Sequence, residues 1–338
     1  MKKGIAIAGN LLVDHVKMVD VWPEKGMLCN IRKQKASIGG CAGNTASDLA
    51  RIDSRIPLRC YGKVGADEDG AYIMNSLGSL GVCTDFVKRE KELVTSYTDV
   101  ITDMRTGERT FFHARGANAH FRYEDMDLEF LEADIFHIGY ALLLDELDKE
   151  DPEYGSVMAR VLSQVRKKGI RTSMDVVSEE GERFQKVVIP SLKYCDYLIA
   201  NEIEGGKIVG IEPRDEKGVI LPERMEKICR EILHKGVKEL VVLHAPEGGF
   251  AMNRDEVFYK KPSLKLPEGF IKGSVGAGDA FCAGMLYALY REYEVEEALE
   301  FANLSAVCSL SEEDSVSGMR CYSEMKELQE ILLKDNKR

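Results

Sequence analysis

The sequence predicts an α/β fold, with a central, mostly parallel sheet flanked by helices on both faces and a small β-sheet lid. Three observations lead there. From residue 135 onward, short apolar runs alternate with amphipathic helical stretches, the mark of repeated βα units around a sheet buried on both sides. Two glycine-rich turns, at 39–46 and 273–281, run straight into helical patterns. Two hairpin-like segments with polar–apolar alternation stand apart from the βα units, as strands exposed on one face do. No repeat or clear linker interrupts the chain, so residues 1–338 read as a single domain with the lid, about 12–36 and 94–118, inserted in it.

Taken in order, Ile5 to Ala8 is a buried first strand, and Asp14 lies just beyond its C-terminal end, the edge where open α/β sheets bind ligands. His15 to Asp20 alternates as a half-exposed strand, with Met27 to Lys35 as its partner. A helix follows the first glycine cluster from Ala46 to Ile52; strand, loop and helix then fill Leu58 to Gly81. Val94 to Met104 and Glu108 to Ala114 form a hairpin around Thr106-Gly107. The βα series has strands at 135–138, 172–176, 197–200 and 239–243, with helices at 153–167, 180–193 and 225–234. Residues 251–252 and 257–259 suggest an edge hairpin, and helices at 277–291, 295–310 and 323–333 close the chain.

Composition narrows the function. The 338 residues are 44% hydrophobic and 30% charged, with a net charge of −11. No basic cluster exceeds Arg166-Lys167-Lys168, so nucleic acid and membrane surfaces are not expected as partners. Nine scattered cysteines without a Cys-x-x-Cys pair suggest reduced thiols. Without a signal peptide's apolar core or a membrane-length apolar run, a cytoplasmic protein is expected.

The chemistry centres on Gly273 to Phe281. A glycine-rich turn entering a helix offers unpaired amides and partial positive charge to an anion, most often a phosphate. Asp279 would repel a resting phosphate, but suits a base that takes a proton from a hydroxyl attacking a phosphoryl group. An Asp in a first helical turn is also favourable for the dipole alone. Gly39, Gly40, Gly43 and Asn44 suit either a polar ligand or a tight turn. Asn201 and Glu204, three apart at a helix start, suit either an Mg²⁺ held mainly through water and phosphate or simple capping.

Together these residues resemble the ribokinase-like (PfkB) sugar kinases. Gly276-Ala277-Gly278-Asp279-Ala280-Phe281 is similar to the family's second signature, and Gly39-Gly40 with Gly43-Asn44 to its first. Asn201-x-x-Glu204 resembles its Asn-x-x-Glu motif, Asp14 its substrate-binding Asp, and Asn303 the Asn of its adenine-side helix. The resemblance implies ATP as donor and Mg²⁺ on its phosphates. It makes Asp279 the base and the Gly276, Ala277 and Gly278 amides an anion hole. Asp14, Gly39, Gly40 and Asn44 would hold acceptor hydroxyls. Asn201, Glu204, His244, Gly249 and Asn303 would serve the nucleotide, with Glu204 on the metal side. A homodimer through the lid is the expected assembly.

Departures refine this. Gly273-Ser274-Val275 replaces the usual Asp or Asn with Thr-Thr or Thr-Asn, which makes a monovalent cation doubtful. His244-Ala245-Pro246 replaces a Thr-x-Gly of many members. Leu12 and Cys41 argue against ribose. Val177 and Glu179 stand where Asn and Arg often contact an anion, and Glu179 would disfavour a phosphorylated acceptor. The expected substrate is a small neutral sugar, phosphorylated on a primary alcohol. The alternatives are a nucleoside kinase, with Phe111, Phe112 and Phe121 forming a base pocket, and a non-catalytic sugar or nucleotide sensor. A dehydrogenase finds no dinucleotide fingerprint.

Overall fold

The computed structural model describes residues 2–179, 181 and 183–335. Its strands are β1 (Ile5–Ala8), β2 (Leu12–Val19), β3 (Ile31–Gly39), β4 (Leu58–Gly65), β5 (Val87–Glu90), β6 (Ser96–Asp103), β7 (Arg109–Ala114), β8 (Ile135–Ala141), β9 (Arg171–Val176), β10 (Tyr197–Asn201), β11 (Leu240–Ala245), β12 (Gly248–Asn253) and β13 (Phe258–Pro262). The helices are α1 (Cys41–Ile52), α2 (Glu68–Ser79), α3 (Val157–Lys167), α4 (Ile189–Leu192), α5 (Glu202–Val209), α6 (Pro222–His234), α7 (Ala277–Arg291), α8 (Val295–Leu310) and α9 (Tyr322–Asp335).

The large sheet runs β13-β12-β11-β10-β9-β8-β1-β4-β5. It is parallel from β11 to β5, with β12 and β13 added antiparallel at one edge. Strand alternation feeds two cores. Ile5, Ile7, Ile199 and Val242 pack with α1, α2, α7, α8 and α9, while Ala6, Ala8, Leu198 and Val241 pack with α3, α4 and α6 on the other face. This is why the strands read as continuous apolar runs. Helices α7 and α8 approach closely because Gly284 is bare: a side chain there would meet Ser305 and the backbone of Ala302.

Strand order reverses between β1 and β8, so their C-terminal loops diverge and leave a crevice. Above it lies the second sheet, β3-β2-β6-β7. It is mixed, because β2 pairs parallel with β6 while the two hairpin pairings are antiparallel.

Several boundaries shift from expectation for identifiable reasons. The partner of β2 spans Ile31–Gly39 instead of Met27 to Lys35, since the pairing continues into the first glycine cluster. Helix α3 starts at Val157 instead of Glu153, because Ser156 caps it by accepting from the Ala159 amide at 3.1 Å. The helix expected over 180–193 is a π-turn (Phe184–Val188) running into α4, and Glu180 and Glu182 lie outside the described residues. Strand β5 is short and largely polar at the sheet edge, and carried no apolar signal. No helix among the described residues is long and apolar enough to cross a membrane.

Candidate active site

Helix α7 begins at the crevice and carries Asp279 in its first turn. Gly276 precedes it with φ 81°, and a side chain there would lie 2.5 Å from Ser315 Cβ, so only glycine makes this turn without strain. The Ala277 amide donates back to the Ser274 carbonyl at 3.3 Å. It therefore closes the turn and is not a free member of the expected anion hole. The amides of Gly276, Gly278 and Asp279 have no chain partner among the described residues, leaving donors for an anion at the helix N-terminus.

Asp279 itself is buried. Its Oδ2 accepts from Asn44 Nδ2 at 2.7 Å and from the Tyr140 hydroxyl at 3.1 Å. Asn44 Oδ1 in turn accepts from Ser315 Oγ at 3.0 Å. One N–H of the Asn44 amide thus orients Asp279. Tyr140 has φ 56°, and Leu142, two residues on, has φ 85°. Such backbone costs energy and persists where its surroundings hold it. Here the Tyr140 amide donates to Asp175 Oδ1 at 2.6 Å, and Asp148 accepts from the Leu142 and Leu144 amides. Tyr140 escaped the sequence reading, though its place at the C-terminal end of a sheet strand is the signal that found Asp14. Ser315 lies in a distant loop and gave no signal.

Asp14 lies on β2, the strand joining β3 and β6, opposite Ser37 and Thr98. A Cβ at Gly39 would sit 2.5 Å from its Oδ2, so only glycine leaves room for the carboxylate in this position. Gly40 has φ 79° and approaches the Asn10 carbonyl, leaving no room for a side chain.

Two cavities meet at α7. The smaller, about 200 Å³, is walled by Asp279, Gly276, Gly278, Tyr140, Asp175, Cys282, Asn201 and Glu204 among others, with no Lys or Arg among the described residues. The larger, about 740 Å³, has apolar walls including Leu264, Leu266, Ile271 and Val307, and is also lined by Asn303, Ala245 and Pro246. Both share Asn201, His244 and Gly278. Asn303 reaches the larger cavity, but its amide donates to the Lys261 and Pro262 carbonyls and so shapes that wall. Gly249 lines neither cavity. It packs against Leu299 and Phe281, so it does not supply the expected nucleotide contact. Phe121 is fully buried in the core and cannot line a base pocket. Glu179 is paired with Arg183 at 2.8 Å and presents no uncompensated charge.

Asn201 and Glu204 form a reciprocal cap: Asn201 Oδ1 accepts from the Glu204 amide at 2.8 Å, and Glu204 Oε2 from the Asn201 amide at 2.9 Å. Ser178 donates to Glu204 Oε1 at 2.8 Å. The capping role is therefore real, and it leaves the carboxylate facing the cavity.

Burial raises the acids of this site. Asp279 is pushed up to about 6, tempered by its Asn44 and Tyr140 hydrogen bonds. Asp14 also rises to about 6, chiefly by burial, with Thr98 lowering it and the charge of Asp279 raising it. Burial lifts Glu204 to about 7, against the hydrogen bonds from Asn201 and Ser178, and Asp175 well above the ordinary carboxyl range. His244, half-buried beside Phe281 at 4.9 Å between ring centroids, is lowered by desolvation to about 4 and stays neutral.

Residues 2–320 match the pfkB family of carbohydrate kinases. The chain belongs to that family. It is a phosphotransferase acting on an alcohol group, a sugar kinase by class. Over 98% of its length it is 22% identical to the ribokinase of Haemophilus influenzae, covering 99% of that protein. It is 26% identical to an ATP-dependent ribose-1-phosphate kinase of Halopiger xanaduensis, over 92% of this chain and 93% of the other. Among solved structures, Arabidopsis thaliana ribokinase complexed with ribose and ATP aligns with a TM-score of 0.79 at 21% identity, covering 97% of this chain and 99% of that one. A nucleoside kinase of Methanocaldococcus jannaschii aligns at 0.74 and 18% identity, covering 97% and 98%. The relatives include sugar and nucleoside kinases, so membership leaves the acceptor open.

The raised acids of this pfkB kinase make its stability depend on pH. From pH 6.5, the ordinary histidine value, upward, His113, His137 and His244 are held neutral by burial in the folded state and keep only a shrinking fraction of a proton each when unfolded, a smaller and opposing contribution. Unfolded carboxyls have lost their protons there, while folded Glu204, Asp175 and buried Asp48 still hold theirs in part. The folded state binds more protons, so its stability falls as pH rises. Thermal melts of ligand-free protein from about pH 6.5 to 8.5 should show a falling midpoint, with a shallower slope for Glu204→Gln. A midpoint that climbs across this range would contradict the assignment.

Proposed function

We propose that this kinase transfers a phosphoryl group from ATP to a primary hydroxyl of a small neutral sugar, with Asp279 as general base. The observation that carries the reading is the buried Asp279 carboxylate, aimed by Asn44 and Tyr140, at the start of a helix whose next free amides await an anion. A primary hydroxyl, carried on a methylene arm, reaches a buried base more easily than a ring hydroxyl does.

Asp14, given room by Gly39, accepts from neighbouring sugar hydroxyls. Asp279 takes the proton of the attacking oxygen, and the Gly276 and Gly278 amides donate to the phosphoryl oxygens as charge develops. The apolar cavity beside Asn303 suits adenosine by size and lining, and Leu264, Leu266, Ile271 and Val307 exclude water from it. Glu204, facing the smaller cavity with a proton held at about 7, fits an Mg²⁺ whose charge would ionise it, held largely through water. That ion, when bound, neutralises phosphate charge. A neutral acceptor is favoured because Asp14 and Asp279 are acidic and no Lys or Arg among the described residues lines the smaller cavity. That support replaces Glu179, whose charge Arg183 meets. A nucleoside acceptor is less favoured with Phe121 in the core, and a pure sensor has no chemical use for a base aimed in this way.

We also place a homodimer interface on the small sheet, where Ile31 on β3 is half-exposed, as are Phe111 and Phe112 on opposite faces of the edge strand β7. Sedimentation should give a dimer mass, and Phe111→Asp with Phe112→Asp should yield monomer. A wild-type monomer at micromolar concentration would remove the interface.

Asp279→Asn should cut turnover by roughly 10²–10⁴-fold, with ATP affinity by calorimetry changed only a few-fold. In wild type, kcat/KM should fall below about pH 6, where the base takes up a proton. Turnover of Asp279→Asn close to wild type would remove Asp279 as the base.

A further inference from the structure

Beneath Asp279, strands β8 and β9 and helix α7 bring three potential ligands together: His137, Asp175 and Cys282. One atom of each lies within 4.8 Å of the other two, and all three residues are buried. Cys282 Sγ is 3.6 Å from His137 Nε2, and that nitrogen is 3.9 Å from Asp175 Oδ2. A tetrahedral zinc ion, with its usual bond lengths to sulfur, nitrogen and oxygen, separates its ligands by about 3.3–3.6 Å. Sub-ångström side-chain shifts would bring the three atoms to that spacing.

Each side chain is also oriented for the task. The other ring nitrogen of His137, Nδ1, is 3.0 Å from Ser173 Oγ, which turns Nε2 toward the cluster. Asp175 uses Oδ1 on the Tyr140 amide at 2.6 Å, leaving Oδ2 for the cluster. Such outer partners are what fix metal-ligating imidazoles and carboxylates. Asp175 and Cys282 line the smaller cavity, giving the ion a route in and a fourth position open to water.

We propose that His137, Asp175 and Cys282 bind a thiophilic divalent cation of the zinc class on the floor of the active-site cavity. The site is distinct in chemistry from the Mg²⁺ side at Glu204. Thiolate and imidazole select zinc-like ions, whereas carboxylate and water suit magnesium. On binding, the Cys282 S–H bond is replaced by a sulfur–metal bond, the Asp175 carboxyl gives up the proton it holds when metal-free, and both protons leave to solvent. A thiolate, a carboxylate, a neutral imidazole and a dication sum to zero charge, which suits a buried position.

The test uses full-length enzyme stripped by chelator and titrated with Co²⁺, then with Zn²⁺ in competition. Wild type and Cys321→Ser, which lacks an exposed thiol, should each take up one Co²⁺ per chain with a thiolate-to-cobalt absorption band that Zn²⁺ displaces. Cys282→Ala should lose the band, and Asp175→Asn should weaken Co²⁺ binding by more than about 100-fold, a ligand mattering more than an outer partner. Circular dichroism would establish that the variants fold, with Asp175→Asn as the recourse if Cys282→Ala does not. A wild-type protein without the band at one equivalent, or a band unchanged in folded Cys282→Ala, would overturn the proposal.

Discussion

A carboxylate buried at the positive end of a helix is the constraint on which the rest of the site depends. Asp279 lies in the first turn of α7, out of water, and its ordinary charge is kept accessible only by two hydrogen bonds, from Asn44 and Tyr140. Each of those partners is held by something further away. Asn44 is fixed by Ser315, from the loop after α8. Tyr140 is fixed by Asp175 and by a loop with two left-handed residues that Asp148 and Arg183 tie down. The order of the large sheet makes these meetings possible, because the chain reverses direction of growth between β1 and β8 and opens a crevice there.

The site is acidic throughout, and that has a physical consequence. Asp14, Asp175, Glu204 and Asp279 all have raised proton affinity with burial as the first cause. Without ligand, the folded state carries the cost of keeping these acids apart from water, part of the stability that active sites commonly give up. Cations and hydroxyl donors relieve it. An uncompensated cluster of this kind favours polyhydroxylated and cationic ligands over anionic acceptors, while the free amides at the start of α7 supply a place suited to phosphate.

The sequence made the sheet legible because its strands are buried on both faces and read as short apolar runs, with glycines marking the helix entries. Position at strand ends and helix starts singled out Asp279, Asp14, Gly39 and Gly40 as candidates. The sequence left other features hidden for physical reasons. Hydrogen-bond partners such as Ser315 and Tyr140 come from distant segments, and no local pattern announces them. Gly249 and Phe121 looked like ligand contacts, but serve packing, which residue type alone does not distinguish. The Asn201–Glu204 pair had two readings, cap and ligand, and the geometry shows that a cap need not turn the carboxylate away from the cavity. The His137–Asp175–Cys282 cluster joins residues 145 positions apart at its extremes and could not be seen from spacing.

The proposed activity is phosphorylation of a small neutral hydroxyl compound. Its most direct measurement is ADP release from Mg-ATP with a panel of neutral sugars, polyols, nucleosides and sugar phosphates, the Asp279→Asn protein serving as the blank. One neutral sugar should raise the rate well above the blank, and sugar phosphates should not. Stimulation by a sugar phosphate or a nucleoside alone would contradict it.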